Sequence, residues 1–262
     1  MSEKLDSNER ALQRNEAIHM TADMKNSRCE VLEALELGKG EKVLDVGSGA
    51  GFLALDMAEI VGSSGRVCGL DVGAVQLEMW RKRCAEYPWA EFHEGDASNL
   101  PFMEGEFDAV VSTQVLEYVA NIDASLAEIF RVLRPGGRVS ILDTDWDSIV
   151  WHSSDRKRMD KILKVWDQHL VDPRLPRILT PSLKKAGFSI SKRLLLPMFN
   201  PEYSEDAFSR WILDYIVGFV GGREGVMQEE VEAWAEDLRE LGERGEYFFS
   251  LSRYLFLAVK PG

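Results

Sequence analysis

The sequence predicts an α/β fold of the doubly wound type, in which helices cover both faces of a mostly parallel sheet. Between residues 41 and 142, short segments rich in β-branched and apolar residues alternate with segments of helical spacing. This alternation is typical of consecutive βαβ units. A glycine-rich segment follows the first of these strands directly, at the edge of the sheet where such folds bind ligands. We therefore expect a ligand site at the carboxyl ends of the strands.

The predicted elements follow hydrophobic period and turn residues. Strands are expected at residues 42–46, 66–70, 90–93, 107–112, 138–142, 188–198 and 247–260. Helices are expected at residues 22–37, 51–61, 74–86, 123–133, 154–170, 180–185, 204–220 and 228–241. The tetrapeptide Arg134-Pro135-Gly136-Gly137 is interpreted as a helix stop followed by a turn.

We expect one domain over residues 1–262, because the chain is only modestly longer than a typical domain. Residues 1–40 are expected to form an N-terminal helical cap and residues 41–145 the core. The segments 146–178 and 199–246 are interpreted as helical insertions that form a substrate lid, because excluding water favours many transfer reactions.

Composition limits the kinds of partner. The formal net charge of −13 at pH 7 repels a phosphate backbone, so we expect no nucleic-acid substrate. No apolar run approaches the roughly 20 residues that cross a bilayer, and residues 1–15 lack the apolar stretch of a secretory signal. We therefore expect a cytoplasmic protein without membrane insertion. The three cysteines have no paired spacing, and we predict no metal site.

The strongest motif is the glycine-rich segment after the first strand. Glycines stand at alternate positions, Gly47, Gly49 and Gly51, and the first of them lies two residues after Asp45. Glycine lets the backbone approach a ligand closely and adopt left-handed conformations. A dinucleotide fingerprint would place its third glycine at position 52, where this chain has Phe52. The spacing therefore argues against a nicotinamide-dependent oxidoreductase.

This Asp-x-Gly-x-Gly-x-Gly segment resembles the first motif of the class I S-adenosylmethionine-dependent methyltransferases. The resemblance implies a Rossmann-like sheet of seven strands whose last strand is antiparallel. It also implies S-adenosyl-L-methionine as cofactor, held by the turn that contains Asp45, Gly47, Ser48, Gly49 and Gly51.

Three later segments agree with the same family. Asp71, at the end of the second strand and followed by Val72, resembles the acidic residue that binds both ribose hydroxyls. Asp96 and Ala97 resemble the adenine-binding pair. Thr113 and Gln114, at the exit of the fourth strand, resemble the residues that face the methionine portion.

The region around strand four looks most like the ubiquinone- and menaquinone-biosynthesis group of small-molecule methyltransferases. One departure is Glu117-Tyr118, where many relatives have Glu-His. The resemblance implies in-line methyl transfer to a small-molecule acceptor of aromatic or isoprenoid kind, with O, N and C all open as the methylated atom. A metal is not implied, and the oligomeric state is open.

Candidate catalytic residues are few, because displacement at a sulfonium depends mainly on alignment. His152 is proposed as a base near neutral pH, with His19 and then His169 as further candidates. Trp146 and Trp151 are expected either to line a flat apolar pocket or to pack in the core.

Three other functions stay open at this point. An enzyme of the same fold can use the cofactor for a non-methylating rearrangement or cyclisation. A nicotinamide-dependent oxidoreductase is the second alternative. A non-enzymatic sensor with a vestigial site is the third, and the acidic residues Asp45, Asp71 and Asp96 argue against it.

Overall fold

The structure is a computed structural model, and it describes residues 13–262. Seven strands form one sheet: β1 Lys42–Val46, β2 Arg66–Asp71, β3 Ala90–Glu94, β4 Phe107–Thr113, β5 Leu133–Trp151, β6 Ser189–Asn200 and β7 Phe249–Val259. Their order across the sheet is β3-β2-β1-β4-β5-β7-β6. The order reverses direction at β1, which is where doubly wound sheets place their ligand.

Strands β1 to β5 pair in parallel, with Leu44 opposite Cys68 on one side and Val110 on the other. Strand β7 runs antiparallel to β5. Gly136 N donates to Lys260 O, and at the other end His152 N donates to Phe248 O, so the two chains run in opposite directions. The predicted mixed sheet with an antiparallel last strand is confirmed.

Nine helices lie in the described part of the chain, the first of them over residues 13–20 (α1). The others are α2 Ala22–Leu35, α3 Phe52–Val61, α4 Ala74–Arg83, α5 Ile122–Val132, α6 Arg156–Trp166, α7 Pro176–Lys185, α8 Phe208–Val220 and α9 Gln228–Glu243. Single turns of 3₁₀ helix follow β4 and α6. None of the helices within residues 13–262 is long and apolar enough to span a membrane.

Local capping explains where two helices begin. The side chain of Asn121 accepts from Ala124 N at 3.1 Å before α5, and Asp155 accepts from Arg158 N at 3.0 Å before α6. Each cap satisfies an amide that the helix itself leaves without a partner.

Several elements have other bounds than predicted; helix α8, for example, begins at Phe208 rather than at residue 204. Helix α7 begins at Pro176 rather than at residue 180, because a proline in the first turn removes only an amide that has no partner there. Strand β5 spans Leu133–Trp151 rather than residues 138–142, so the predicted helix stop and turn at residues 134–137 lies within the strand, where Gly136 N donates to Lys260 O. Asp143 and Thr144, which lie beyond the predicted end of this strand, belong to it and are fully buried. The segment 146–178, predicted as a helical insertion, therefore begins as a strand.

The chain divides into two compact units. The larger unit contains Arg28–Asp145, Val171–Leu196 and Arg253–Gly262. The smaller contains, among the described residues, 13–27, Trp146–Leu170 and Pro197–Ser252. The larger unit has two apolar clusters, one with Val43 and Val67 and one with Leu44 and Cys68. Strand side chains alternate between faces, so both faces of its sheet are covered. The smaller unit has one cluster around Trp234.

Candidate functional site

The glycine-rich turn lies at the carboxyl end of β1, within the larger unit. Gly47, Gly49 and Gly51 all have positive φ, at 73°, 51° and 83°, the region that only glycine enters without strain. Gly47 N and Ser48 N both donate to Leu70 O, at 2.7 and 3.0 Å. The turn is therefore anchored to the end of β2, and Gly51 N donates to Ser48 O within the turn at 3.0 Å.

Two of these glycines are also required by close packing. A Cβ on Gly47 would lie 2.7 Å from Val115 Cγ1, and one on Gly51 would lie 2.6 Å from Trp80 Cδ1. A Cβ on Gly49 would meet no atom within 4 Å. The turn thus packs tightly against the protein at Gly47 and Gly51 and opens into free space at Gly49.

Asp71 joins the turn to the end of β2. Its Oδ2 accepts from Gly49 N at 2.9 Å and its Oδ1 accepts from Gly73 N at 3.1 Å. Each carboxylate oxygen has a second lone pair, so both amide bonds leave Asp71 able to accept from a vicinal diol. Next to it, Val72 is 71% exposed, which places a bare apolar side chain beside the predicted ribose site.

Asp45 is a buried carboxyl at the base of the turn. It is 1% exposed, and its Oδ1 has no hydrogen-bond partner among the described residues. Burial, and secondarily the negative charge of Asp71, raises the pKa of Asp45 from 3.8 to about 8. The side chain is therefore protonated at neutral pH, and a cation bound nearby would favour its ionised form.

We expect Asp45 to make the protein less stable as pH rises. In the unfolded chain this carboxyl ionises at its ordinary pKa of 3.8, whereas the folded pKa is about 8. Between these values the folded state holds the extra proton, so raising the pH favours unfolding. The Asn side chain of Asp45→Asn cannot ionise. The free energy of unfolding of this variant should therefore rise relative to that of the wild type between about pH 4 and about pH 8, as measured by urea titration.

Asp96→Asn is the control for this pH dependence. Asp96 is exposed, and hydrogen bonds from Ser98 lower its pKa. The free energy of unfolding of Asp96→Asn should therefore not rise relative to that of the wild type as the pH increases. Parallel pH profiles for the wild type and Asp45→Asn would contradict the buried protonated state of Asp45.

Asp96 and Ala97 follow β3 in the same unit. Asp96 Oδ1 accepts from Ser98 N at 2.7 Å and from Ser98 Oγ at 2.6 Å, which fixes the carboxylate while leaving its other oxygen available. Ala97 is buried. Gly95 N donates to Asp71 O at 3.1 Å, so the loops after β2 and β3 are tied together.

The exit of β4 is held in an unusual conformation. Gln114 has φ 58°, a left-handed value uncommon for a residue with a Cβ. Gln114 N donates to Leu142 O at 2.8 Å, and Gln114 Oε1 accepts from Thr144 Oγ1 at 2.7 Å. Its Nε2 is buried without a hydrogen-bond partner among the described residues. Thr113, just before it, is half-buried at the end of the strand.

Sequence reasoning missed a set of buried charged residues beneath this turn. Glu117, Asp143 and Arg253 are each at most 2% exposed. Burial, then the charge of Glu117, raises the pKa of Asp143 well above its ordinary value, while the amides of Glu117 and Val115 and the charge of Arg253 act in the opposite direction. The signal in the sequence was a carboxylate directly after an apolar strand, at Asp143.

A second missed feature is the ion pair between Asp145 and Arg177. Arg177 Nε and Nη2 contact the two carboxylate oxygens at 2.8 and 2.9 Å, the bidentate geometry that suits a guanidinium. It joins the carboxyl side of β5 to α7, two elements far apart in sequence. Single-sequence patterns cannot show such a pairing.

The histidine candidates His152 and His19 lie in the smaller unit. His152 is exposed at the end of β5, and His19 is half-buried in α1. Trp151 is 3% exposed, donates from Nε1 to the Tyr247 hydroxyl at 3.0 Å and packs against Trp234. Trp151 is therefore a core residue, one of the two roles expected for it.

Trp146 lies in a group of four rings with His169, Trp166 and Phe219, also in the smaller unit. The His169 ring stacks on Trp166 with centroids 3.6 Å apart, and Trp146 meets it edge-on at 5.3 Å. Burial lowers the pKa of His169 to about 4. His169 is therefore neutral near pH 7 and behaves as an aromatic ring rather than as a cation.

Comparison with known proteins agrees with this geometry. The family model described as a methyltransferase domain matches residues 44–141. That stretch contains the glycine-rich turn, Asp71, Asp96 and the exit of β4. The chain contains a methyltransferase domain. The resemblance of the sequence to the S-adenosylmethionine-dependent methyltransferases is confirmed.

Two curated relatives of this methyltransferase domain act on quinones by name. The 2-phytyl-1,4-naphtoquinone methyltransferase of Thermosynechococcus vestitus is 42% identical over 109 residues, which cover 42% of this chain and 48% of the relative. The demethylmenaquinone methyltransferase of Staphylococcus epidermidis is 38% identical over 117 residues, covering 45% and 48%. The chain spans about half the length of the curated relatives it matches.

A solved structure extends the likeness of the fold beyond the methyltransferase domain. A candidate methyltransferase from Bacillus halodurans C-125 superposes with a TM-score of 0.67 over 90% of this chain and all of the other, at 20% identity. This likeness shows a shared fold.

Proposed function

We propose that this chain transfers a methyl group from S-adenosyl-L-methionine to a small aromatic acceptor of the quinone class. The observation that carries the proposal is the carboxyl edge of β1 and β2, where an open glycine turn and the Asp71 carboxylate lie together. Curated relatives named for quinone methylation support the acceptor class.

The residues at this edge fit the cofactor. Asp71 offers oxygens to the ribose diol, and exposed Val72 offers an apolar face to the adenine ring. Asp96 and the Ala97 amide suit the polar edge of the base. Buried polar atoms without described partners, Ser48 Oγ and Gln114 Nε2, suit the polar methionine portion, because buried polar groups are rarely left without a hydrogen bond.

The bound cofactor supplies a sulfonium-activated methyl group. The protein's part is to hold and align it, since fixing two reactants in line lowers the barrier by converting a bimolecular step into a local one. The turn over residues 47–51 would hold the cofactor close to the backbone, and Gln114 would bind its methionine end. A positive charge bound beside Asp45 would favour the ionised carboxylate, which would then offset that charge.

The acceptor is proposed to be a flat ring with an apolar substituent. The relatives named for quinone methylation support an acceptor of this kind. The net charge of −13 supports a substrate other than nucleic acid. The cysteines Cys29, Cys68 and Cys84 are free thiols, which supports action in the reducing cytoplasm.

The acceptor class is tested by incubating the full chain with the cofactor and demethylmenaquinone kept in its reduced, hydroquinone form, because the transferred methyl group needs an electron-rich ring. Release of S-adenosylhomocysteine together with a methylated quinone is expected, and both should be lost in Asp71→Ala. Release of S-adenosylhomocysteine only with a different aromatic acceptor would show that the substrate belongs to another class. Conversion of the acceptor without release of S-adenosylhomocysteine would favour a non-methylating rearrangement or cyclisation.

We propose His152 as the general base, with His19 as the second candidate. A positioned base contributes roughly 10²–10⁴-fold to rate, so His152→Ala should lower kcat by about 10²-fold or more and leave cofactor affinity unchanged. Full turnover in His152→Ala would transfer the role to His19, tested by His19→Ala in the same assay.

A further inference from the structure

Three metal-ligating side chains lie together on β2 and β3, away from the glycine turn. The parallel register places Cys68 opposite Glu91 and Leu70 opposite His93. Side chains two residues apart on a strand share a face, and paired residues on parallel strands do too. Cys68, Glu91 and His93 therefore project from one face, where their sulfur, oxygen and nitrogen atoms lie within 4.8 Å of one another.

We infer that Cys68, Glu91 and His93 form a binding site for a divalent transition metal ion, for which Zn²⁺ is the best match. Thiolate, imidazole and carboxylate are the three ligand types that Zn²⁺ accepts, at about 2.0–2.3 Å each. Thiolate and imidazole together exclude Mg²⁺ and Ca²⁺, which prefer oxygen ligands. Three protein ligands leave one tetrahedral position for water or another small ligand.

The geometry needs only small movements to receive the ion. Ligands around tetrahedral zinc lie roughly 3.5 Å apart, close to the 3.6 Å between His93 Nε2 and Glu91 Oε2. His93 Nε2 is buried without a hydrogen-bond partner among the described residues. The His93 ring also packs edge-on against Phe102 at 4.9 Å, so its orientation is held by packing.

The surrounding charges suit a cation with a coordinated thiolate. Arg66 contacts Glu91 at 2.9 Å and Glu106 at 2.7 Å, so two carboxylates surround one guanidinium. Arg66, Glu91 and Glu106 together carry one negative charge, so adding a divalent ion and the Cys68 thiolate makes the whole cluster neutral. Arg66 then holds the ligating carboxylate in place, which is the usual role of groups that contact metal ligands.

Spectroscopy with Co²⁺ tests the site without depending on methyl transfer. The full chain is titrated with Co²⁺, and the near-ultraviolet absorption of cobalt–thiolate bonds and the visible bands of tetrahedral cobalt are recorded. Zn²⁺ is then added as competitor. One equivalent of Co²⁺ with a thiolate band, displaced by one equivalent of Zn²⁺, is expected.

Variants identify the ligands. Cys68→Ser should abolish the thiolate band, and His93→Gln, at a half-exposed position where folding is not at risk, should weaken Zn²⁺ binding by at least about tenfold. Cys29→Ser removes an exposed thiol outside the site and should change neither. A band that survives Cys68→Ser, unchanged Zn²⁺ affinity in His93→Gln, or loss of the band in Cys29→Ser would each overturn the proposal.

Discussion

Replacing Gly47 with alanine is expected to abolish cofactor binding and to destabilise the protein. Gly47 has φ 73°, and an added Cβ would lie 2.7 Å from Val115 Cγ1 and nearer still to Cγ2. The left-handed conformation costs an L-residue about 1–2 kcal/mol, and overpacking in a full site costs about 1–3 kcal/mol more. The turn must shift to relieve the contact, and its amides then lose their alignment with the cofactor. Urea unfolding and calorimetric titration measure the two effects.

Two variants separate the causes of this loss. Gly245→Ala, after α9, has a similar φ of 71° with no atom within 4 Å of its Cβ, so it reports the conformational cost alone. The double variant Gly47→Ala/Val115→Ala removes the colliding methyl groups and should recover part of the lost stability. A Gly47→Ala protein that binds the cofactor like the wild type would show that this turn does not cradle the ligand.

Asp71→Asn is expected to weaken cofactor binding by about 1–3 kcal/mol, or roughly 5–150-fold. The amide keeps the size of the side chain but removes its charge and one accepting atom. It can keep only one of the two bonds from Gly49 N and Gly73 N, so the ribose site also loses its fixed geometry. Calorimetric titration with S-adenosyl-L-methionine measures the change.

Asp108→Asn is the matched control for Asp71→Asn. Asp108 also accepts a backbone amide, from Lys42 N at 2.8 Å, and pairs with Arg134 at 2.6 Å. It lies at the amino end of β4, at the opposite edge of the sheet. Its loss should lower stability and leave cofactor affinity unchanged. If both variants lost cofactor affinity equally, Asp71 would act through the stability of the protein and not by binding the ribose.

Local patterns predicted the core of the fold well. Strand β1 was predicted at its observed bounds, and β2, β3 and β4 each end one residue later than predicted, because apolar runs bounded by glycine and charged residues define buried strands. The turn at Gly47 to Gly51 was predicted for the same reason. All three glycines have positive φ, and close packing at Gly47 and Gly51 also excludes a larger residue there.

Features that depend on contacts distant in sequence were not predictable. Strand β5 extends to Trp151 because β7 pairs along it, and nothing in residues 143–151 alone indicates that partner. The buried position of Asp143, the Asp145 to Arg177 pair and the Cys68, Glu91 and His93 group each join different elements. A polar residue at the end of a strand looks the same in sequence whether it is exposed or buried beneath a turn.

Calorimetric titration of the full chain with S-adenosyl-L-methionine, and in parallel with NADH and NADPH, tests the central claim most directly. The site described above predicts one equivalent of S-adenosyl-L-methionine bound in the micromolar range and no heat from either nicotinamide. Binding of NADH or NADPH, or an absence of binding by S-adenosyl-L-methionine, would contradict it.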